Sequence, residues 1–238
     1  MTNTKIALQL SGRLRYTEDS INSIMAAIIE PHDVDVFCSF WEPEQAKTLD
    51  ELVRFFNPQL TEVEPQCLVR PYLDDLFRFN VHANMPSMSY KFHRVSMLRL
   101  AHERKHNVRY SCIIQARTDN LFFEKLSNQT QLPVISPGIY CSNLTLSSEI
   151  DPYIQPRMVD NFYIGDPTNM DIAASTFWHL RKQAQEYTNA GLLHHVRIPE
   201  IIQSQVWHEL GIPIKTLPGS SALGEFHYEI DRRDTVWK

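Results

Sequence analysis

The chain has 238 residues, a formal net charge of −5 and 43% hydrophobic residues. Only 7 residues are glycine, so the composition excludes collagen-like and disordered chains, and no internal period indicates a repeat protein. Because this charge provides no broad basic surface, it argues against nucleic acid or an anionic membrane as the main partner.

The length, with no linker-like stretch, predicts one domain over residues 1–238, with a core at about 4–217 and a less regular C-terminal tail. The N-terminal apolar run is too short for a signal peptide, and no run of about 18 apolar residues predicts a transmembrane segment. We therefore expect a cytoplasmic protein. The four cysteines lack Cys-x-x-Cys spacing and are predicted to be reduced core thiols: Cys38, Cys67, Cys112 and Cys141.

Strands and helices alternate along the first half of the chain. A strand is predicted from Lys5 to Leu10, and Thr17 is predicted to cap a helix that stops at Pro31. The elements predicted next are strand 34–41, helix 44–56, a strand within 61–69, a helix from Pro86 to about His106 and strand 110–116. Because helices separate the strands, we expect parallel pairing.

The second half continues the alternation. After a strand at 158–164, Asp166 and Pro167 have the pattern of an N-cap and a first-turn proline. One long helix then carries an apolar stripe formed by Met170, Ala173, Phe177, Leu180, Ala184 and Tyr187. A last helix at 199–210 ends at Gly211 and leads to a short strand. Together the elements predict an α/β fold with a mostly parallel central sheet flanked by helices.

Ligands of open α/β sheets gather beyond the carboxyl ends of the strands, and the first predicted strand ends in a polar segment. This segment is Ser11-Gly12-Arg13-Leu14-Arg15. Its glycine lets the backbone approach a ligand, and its two arginines can bind phosphate or carboxylate groups bidentately. The alternative is a surface turn with solvated arginines.

Two more strand ends carry acidic groups. The most strand-like run of the chain stops at Arg117-Thr118-Asp119-Asn120. A lone carboxylate at such a place can hold a divalent metal ion against a diphosphate, and the alternative is an Arg117–Asp119 ion pair that closes the strand end. At the third strand end, Asp166 is either a site residue or only a helix cap.

Several segments, taken in their order along the chain, resemble a known family. Four segments contribute: 8–15 together with 35–41, Ser87–Lys91 at the start of a helix, 113–119, and 160–165 followed by Met170-Asp171. A looser fifth segment joins Pro199-Glu200 with 208–212. Over about 6–216 the chain resembles the small glycosyltransferase-like proteins of bacterial polysaccharide clusters, large DNA viruses and phages.

The resemblance implies a single GT-A-like (Rossmann-like) domain that uses a nucleotide-diphosphate sugar as donor. It also implies transfer of a hexosyl or pentosyl group to a hydroxyl of a glycan or glycoconjugate acceptor, in the host cytoplasm if the protein is viral. The residues that it places at the donor are Ser11, Gly12, Arg13, Arg15, Tyr90, Lys91, Arg117 and Asn120.

Asp119 stands where such enzymes keep a metal-binding Asp-x-Asp motif, but this chain departs from the motif. Arg117 lies two positions before it and Leu121 two positions after it, which leaves a single carboxylate. That carboxylate can still ligate Mn²⁺ or Mg²⁺ if donor phosphates and water complete the shell. The alternative is neutralisation of the leaving diphosphate by fixed cations without a metal. The candidate cations are Arg13, Arg15, Arg117 and Lys91.

An inverting transfer also needs a base for the acceptor proton. Asp160, Asp166 and Glu200 are candidates, and Asp160 is preferred because it precedes a turn that this fold should point at the sugar. Asp160 and Asp119 are therefore the predicted catalytic residues. Two other polar pairs are less suited to catalysis. His194-His195 has the pattern of a polar helix end, and Asp74-Asp75 has that of a solvated helix face.

Two other classes of function stay open. A non-catalytic nucleotide-sugar-binding or glycan-binding relative would keep Arg13 and Arg15 and tolerate the incomplete acidic motif. An interaction module would need an exposed apolar patch, whereas helix and strand core faces account for nearly all apolar residues here.

Overall fold

Parallel strands build the first half of the sheet. The computed structural model describes residues 5–42, 47–79, 81, 84–122, 136–143, 158–192, 199–217 and 228–230. Strands β1 (Ile6–Gly12), β2 (Val34–Trp41) and β3 (Leu60–Glu64) pair in parallel in the order β3-β2-β1, and β4 (Cys112–Ala116) pairs in parallel with the other edge of β1. The chain therefore winds outward to β3 and returns past β1. The strand order reverses between β1 and β4.

The later strands make the sheet mixed. They are β5 (Asn120–Phe122), β6 (Ile139–Asn143), β7 (Met158–Gly165), β8 (Ile214–Thr216) and β9 (Tyr228–Ile230). In the described residues a seven-stranded sheet has the order β3-β2-β1-β4-β7-β6-β8, and only β7 runs antiparallel to its neighbours. Strands β5 and β9 form a small antiparallel sheet. The predicted α/β fold with a mostly parallel sheet is thus confirmed.

Helices cover both faces of this sheet. They are α1 (Glu18–Ile24), which continues as a π-helical segment over Met25–Ile29, α2 (Lys47–Phe56), α3 (Arg70–Phe77), α4 (Asn84–His106), α5 (Pro167–Ala174), α6 (Thr176–Asn189) and α7 (Pro199–Glu209). Helix α1 begins as predicted, because Thr17 Oγ1 accepts from the Ser20 backbone N–H while the Ser20 hydroxyl oxygen accepts from the Thr17 N–H. No helix in these described ranges is both long and apolar enough to cross a membrane.

Alternate residues of the central strands bury against opposite helix layers. Ile6, Leu8 and Leu10 of β1 pack with the apolar residues of α1 and α2. The opposite side, here called the α4 face, buries Ala7 and its neighbours against α4, α5 and α7. Because β1 is buried on both sides, its apolar run is nearly continuous.

Three predicted elements have different limits in the structure. The third strand ends at Glu64, because Pro65 carries no N–H for a longer ladder and a 3₁₀ turn over Gln66–Val69 follows. The long helix predicted after Asp166 is divided into α5 and α6 at Ser175, whose hydroxyl donates to the Ile172 carbonyl at 2.7 Å. The helix predicted for 44–56 is seen from Lys47, and its first residues lie outside the described ranges.

All four cysteines are free thiols, but they do not share one environment. Cys38, Cys112 and Cys141 are buried in strands, as predicted. Cys67 is exposed, so the prediction of a core thiol is wrong at this position. It lies in the 3₁₀ turn that replaces the end of the predicted third strand.

Candidate functional site

The loops that follow β1 and β4 are joined at the point where the strand order reverses. Leu10 of β1 is in register with Ala116 of β4, so both strands end at the same edge of the sheet. Thr118 is 1% exposed, and its hydroxyl donates to the Arg15 carbonyl at 2.5 Å, across 103 positions of sequence. The Arg15 N–H also points at this hydroxyl, at 3.4 Å. The two segments predicted to bind the donor therefore lie side by side.

The β1 loop presents an open backbone and exposed positive charge. Gly12 has a φ of +109°, and among the described residues no heavy atom beyond its chain neighbours lies within 4 Å of the place where a Cβ would be. That φ strains any other residue type. Arg13 is exposed, and its side chain makes no ion pair with any residue in the described part of the chain. Gly12 and Arg13 can therefore contact a ligand without displacing protein atoms.

The end of β4 forms the ion pair that was considered as an alternative. Arg117 Nε donates to Asp119 Oδ1 at 2.7 Å, and a terminal nitrogen of Arg117 donates to Oδ2 at 2.5 Å. Asp119 is buried, whereas the Arg117 side chain is 32% exposed. Such a bidentate pair fixes the plane of the guanidinium. Arg117 is thereby held at the end of β4, next to the β1 loop.

Asn120 shapes the turn at the end of β4. Its Oδ1 accepts from the Arg117 backbone N–H at 2.7 Å, and the residue is fully buried. Its Nδ2 has no hydrogen-bond partner among the residues that the structure describes. In this conformation Asn120 is buried and holds the turn that carries Arg117.

These residues do not make a metal site as they stand. Both carboxylate oxygens of Asp119 accept from Arg117, and the charge of the guanidinium opposes a cation beside it. Within the described ranges, no group of three or more His, Cys, Asp or Glu side chains could hold a metal ion. The metal role of Asp119 therefore stays a prediction.

Tyr90 and Lys91 lie in a different cluster, at the carboxyl ends of β2 and β3. Lys91 is fully buried, with its Nζ 2.9 Å from Glu64 Oε2 and 4.3 Å from the centre of the Trp41 ring. The Tyr90 ring stacks on Trp41 at 5.5 Å, and its hydroxyl donates to Glu64 Oε1 at 3.2 Å. Burial lowers the pKa of Lys91, and the Glu64 carboxylate opposes that shift. Lys91 Nζ also donates to Ser39 Oγ at 3.4 Å, and Ser39 is in register with Ser11, so this cluster lies next to the end of β1 at the same edge of the sheet.

A row of buried polar side chains crosses the α4 face of the sheet, next to the β1 and β4 loops. We call it the polar row. Gln9, Gln115 and Tyr163 are in register across β1, β4 and β7. The Gln115 amide nitrogen donates to Ser11 Oγ at 2.7 Å, and the Tyr163 hydroxyl donates to Gln203 Oε1 of α7 at 3.2 Å. Sequence reasoning missed this row. The available signal was a glutamine inside each of two otherwise apolar strands.

The remaining candidates are placed only in part. Asp166 is the N-cap of α5, since its Oδ1 accepts from the Asn169 N–H at 3.1 Å, and its Oδ2 accepts from the Gly138 N–H at 2.7 Å. Asp160 lies in β7 and Glu200 in α7, but their side chains are outside the description. His194-His195 falls outside the described residues.

The Asp74-Asp75 pair lies on α3, as its helical pattern predicted. Asp74 is mostly exposed, and Asp75 is 3.1 Å from Arg181 of α6. This pair is therefore part of a surface ion-pair group.

Comparison of the sequence with protein-family models gives no match, and comparison with curated protein sequences gives none either.

Proposed function

We propose that this protein is a glycosyltransferase that binds a nucleotide-diphosphate sugar between the β1 and β4 loops. The observation that carries the proposal is the junction of these loops at the reversal of strand order, where open α/β sheets bind ligands. The mixed, mostly parallel sheet flanked by helices is compatible with the GT-A-like fold that the resemblance implies.

The charges of the two loops suit a diphosphate. Arg13, Arg15 and Arg117 outnumber the single carboxylate of Asp119, so the group is net positive although the whole chain is negative. Arginine binds phosphate oxygens through several fixed N–H groups. Asp119 would act on the donor through Arg117, by orienting its guanidinium.

In the proposed reaction an acceptor hydroxyl oxygen forms a bond to the anomeric carbon of the donor sugar. The bond from that carbon to the diphosphate oxygen breaks, and its electron pair leaves with the diphosphate. Fixed guanidinium groups stabilise the charge that develops there. If the anomeric centre inverts, the hydroxyl proton passes to a base, and we propose Asp160 of β7 for that role.

The second candidate is a protein of the same fold that binds a nucleotide sugar or glycan without transfer. The bidentate Arg117–Asp119 pair favours it, because the guanidinium neutralises the charge of the carboxylate that would otherwise serve the chemistry. Such a protein would bind the donor but neither transfer nor hydrolyse the sugar.

Calorimetry with uridine, guanosine and thymidine diphosphate sugars tests the binding step. We expect at least one of them to bind, and binding to none would contradict both candidates. Incubation of that donor without acceptor, followed by measurement of the released nucleoside diphosphate, then separates an enzyme from a binding protein. Slow hydrolysis supports the transferase, whereas an intact donor supports the second candidate.

A further inference from the structure

The β1 loop is anchored at two points to β4 and the turn that follows it. Before the loop, Ser11 Oγ accepts from the Gln115 amide nitrogen at 2.7 Å, and both side chains are buried. After it, the Thr118 hydroxyl donates to the Arg15 carbonyl at 2.5 Å. The residues between the two anchors are Gly12, Arg13 and Leu14. The segment that carries the exposed arginine is therefore short and fixed at both ends.

Thr118 is the anchor on the side of the two loop arginines. Its hydroxyl donates to the Arg15 carbonyl, and the same oxygen lies 3.4 Å from the Arg15 backbone N–H. A hydroxyl can donate and accept at once, so one side chain serves both backbone polar groups of one residue. Because Thr118 is only 1% exposed, water does not compete for this contact. The hydroxyl therefore restricts the backbone at Arg15.

The turn that carries Thr118 has supports of its own. Asn120 Oδ1 accepts from the Arg117 N–H at 2.7 Å and closes the turn. Just beyond it, the Phe122 N–H donates to Ser23 Oγ of α1 at 3.1 Å. The turn is thus held to the body of the fold, and Thr118 extends this support to the β1 loop.

The conformation of the β1 loop determines how well its charges can meet a ligand. Gly12 has a φ of +109°, and a glycine without an anchor has more backbone freedom than any other residue. If a loop reaches its binding conformation only part of the time, the apparent affinity decreases by that fraction. A hydroxyl that keeps the loop in one conformation therefore increases affinity without touching the ligand.

We infer that Thr118 is a positioning residue of the donor site. It holds the β1 loop in the conformation in which Arg13 and Arg15 bind the diphosphate. The inference rests on the proposed function and adds a buried hydroxyl through which the β4 turn controls donor affinity.

The test compares Thr118→Val, which removes the hydroxyl but keeps the shape of the side chain, with Thr118→Ser, which keeps the hydroxyl. In calorimetry with the best-binding diphosphate sugar, we expect Thr118→Val to bind about 5- to 150-fold more weakly than the parent, the range for one lost hydrogen bond in a buried site. Thr118→Ser should bind nearly as the parent does.

The matched control is Thr176→Val in α6. Thr176 is also 1% exposed, and its hydroxyl likewise donates to a backbone carbonyl, that of Ala173, at 2.6 Å. This variant should lose stability but keep the donor affinity of the parent. An equal loss of affinity in Thr176→Val and Thr118→Val would overturn the inference, because the effect would then come from stability alone.

A double-mutant cycle shows whether Thr118 acts through the loop. Arg13→Ala should weaken donor binding less in Thr118→Val than in the parent, because the loop has already lost its conformation there. Equal effects of Arg13→Ala in both proteins would contradict the inference. Parent-like affinity of Thr118→Val, or a Thr118→Ser that binds as weakly as Thr118→Val, would contradict it as well.

Hydrogen exchange in the free protein separates this inference from the proposed function. We expect the backbone amides of residues 12–16 to exchange faster in Thr118→Val than in the parent, while those of β1 keep their rates. If no diphosphate sugar binds the parent, the proposed function fails, and the exchange rates alone decide whether Thr118 holds the loop. Unchanged rates overturn the inference whatever binds. Should Thr118→Val not fold, Thr118→Cys replaces the hydroxyl by a weak donor of similar size and must show the same changes.

Discussion

At the residue scale, the carboxyl ends of β1 and β4 hold charges in two different states. Arg117 and Asp119 neutralise each other. The carboxylate of Asp119 is buried, and the Arg117 side chain is partly exposed. Arg13 is exposed and makes no ion pair with any described residue, and Arg15 is joined to Thr118 through its backbone atoms. Ligand affinity should therefore depend most on the β1 arginines, and stability on the Arg117–Asp119 pair.

Replacing Arg13 or Arg15 by alanine tests the first part of that expectation. Losing a charge-assisted hydrogen bond of about 1.5–3 kcal/mol should weaken donor binding roughly 10- to 150-fold without unfolding the protein. Calorimetry on each variant measures this effect. Arg104→Ala, an exposed arginine in the last turn of α4, is the matched control. If both loop variants bind the donor as the parent does, the β1 loop is not the diphosphate site.

Asp119→Asn tests the second part. The variant keeps the size of the side chain but loses the charge that Arg117 needs, so we expect a loss of about 1.5–3 kcal/mol in unfolding free energy. In a chain of this length that corresponds to a decrease of roughly 3–12 °C in Tm. Asp74→Asn, at an exposed position of α3, should leave Tm nearly unchanged.

The same Asp119→Asn sample decides the metal prediction. If Asp119 ligates Mn²⁺ or Mg²⁺ with the donor phosphates, the variant should lose the metal-stimulated part of donor binding, and transfer should decrease about 10²- to 10³-fold. If Asp119 only pairs with Arg117, the variant is less stable while the response of donor binding to Mn²⁺ stays unchanged. That second result would make the metal assignment wrong.

At the element scale, α4 holds most of the polar contacts on its face of the sheet. Near its start it carries Lys91, paired with Glu64 of β3, and one turn later Arg94, paired with Glu62. Near its middle, the fully buried Arg99 pairs with Asp171 of α5. These ion pairs join α4 to the edge of the sheet and to α5. Together they fix how α4 lies over the polar row, where Ser96 Oγ donates to Gln9 Oε1 at 3.3 Å.

The contact of α4 with α6 predicts a pH effect. The His93 ring packs edge-on against Trp178 at 5.5 Å, and burial lowers the His93 pKa below its usual 6.5. Because the unfolded chain binds this proton more readily, the full contribution of His93 is present above pH 6.5 and is lost as the pH falls below it. His93→Gln should therefore show a smaller decrease in Tm between pH 7.5 and 5.5 than the parent.

The control for that experiment is His208→Gln, an exposed histidine in the last turn of α7. Equal pH dependence in His93→Gln and the parent would show that His93 does not titrate differently on folding. Other histidines, among them His102, also have a lowered pKa through burial, so the difference between variants is the relevant quantity.

At the scale of the whole molecule, the candidate site is a product of strand order. The β1 and β4 loops are far apart in sequence and meet only because β4 returns to the free edge of β1. The polar row needs a third strand as well, since Tyr163 comes from β7 and its partner Gln203 from α7. Residues from four distant parts of the chain thus surround one position in the fold.

The sequence by itself was sufficient for three main elements of the first half. Apolar spacing located β1, β2 and α4 to within two residues at most of their ends, and Thr17 was recognised as a cap, because these features depend on neighbouring residues. The sequence also located the two polar strand ends of the site. It left open whether Asp119 binds a metal ion or pairs with Arg117.

Only the tertiary structure decided the direction of β7, the burial of Lys91 against Glu64 and the Arg117–Asp119 pair. An apolar pattern shows which side of a strand is buried, but burial is non-directional and does not select the neighbouring strand. The sequence also did not show which polar groups are partners, since Thr118 and Arg15 are 103 positions apart. Their contact exists because a buried hydroxyl or amide must find a partner wherever packing places one.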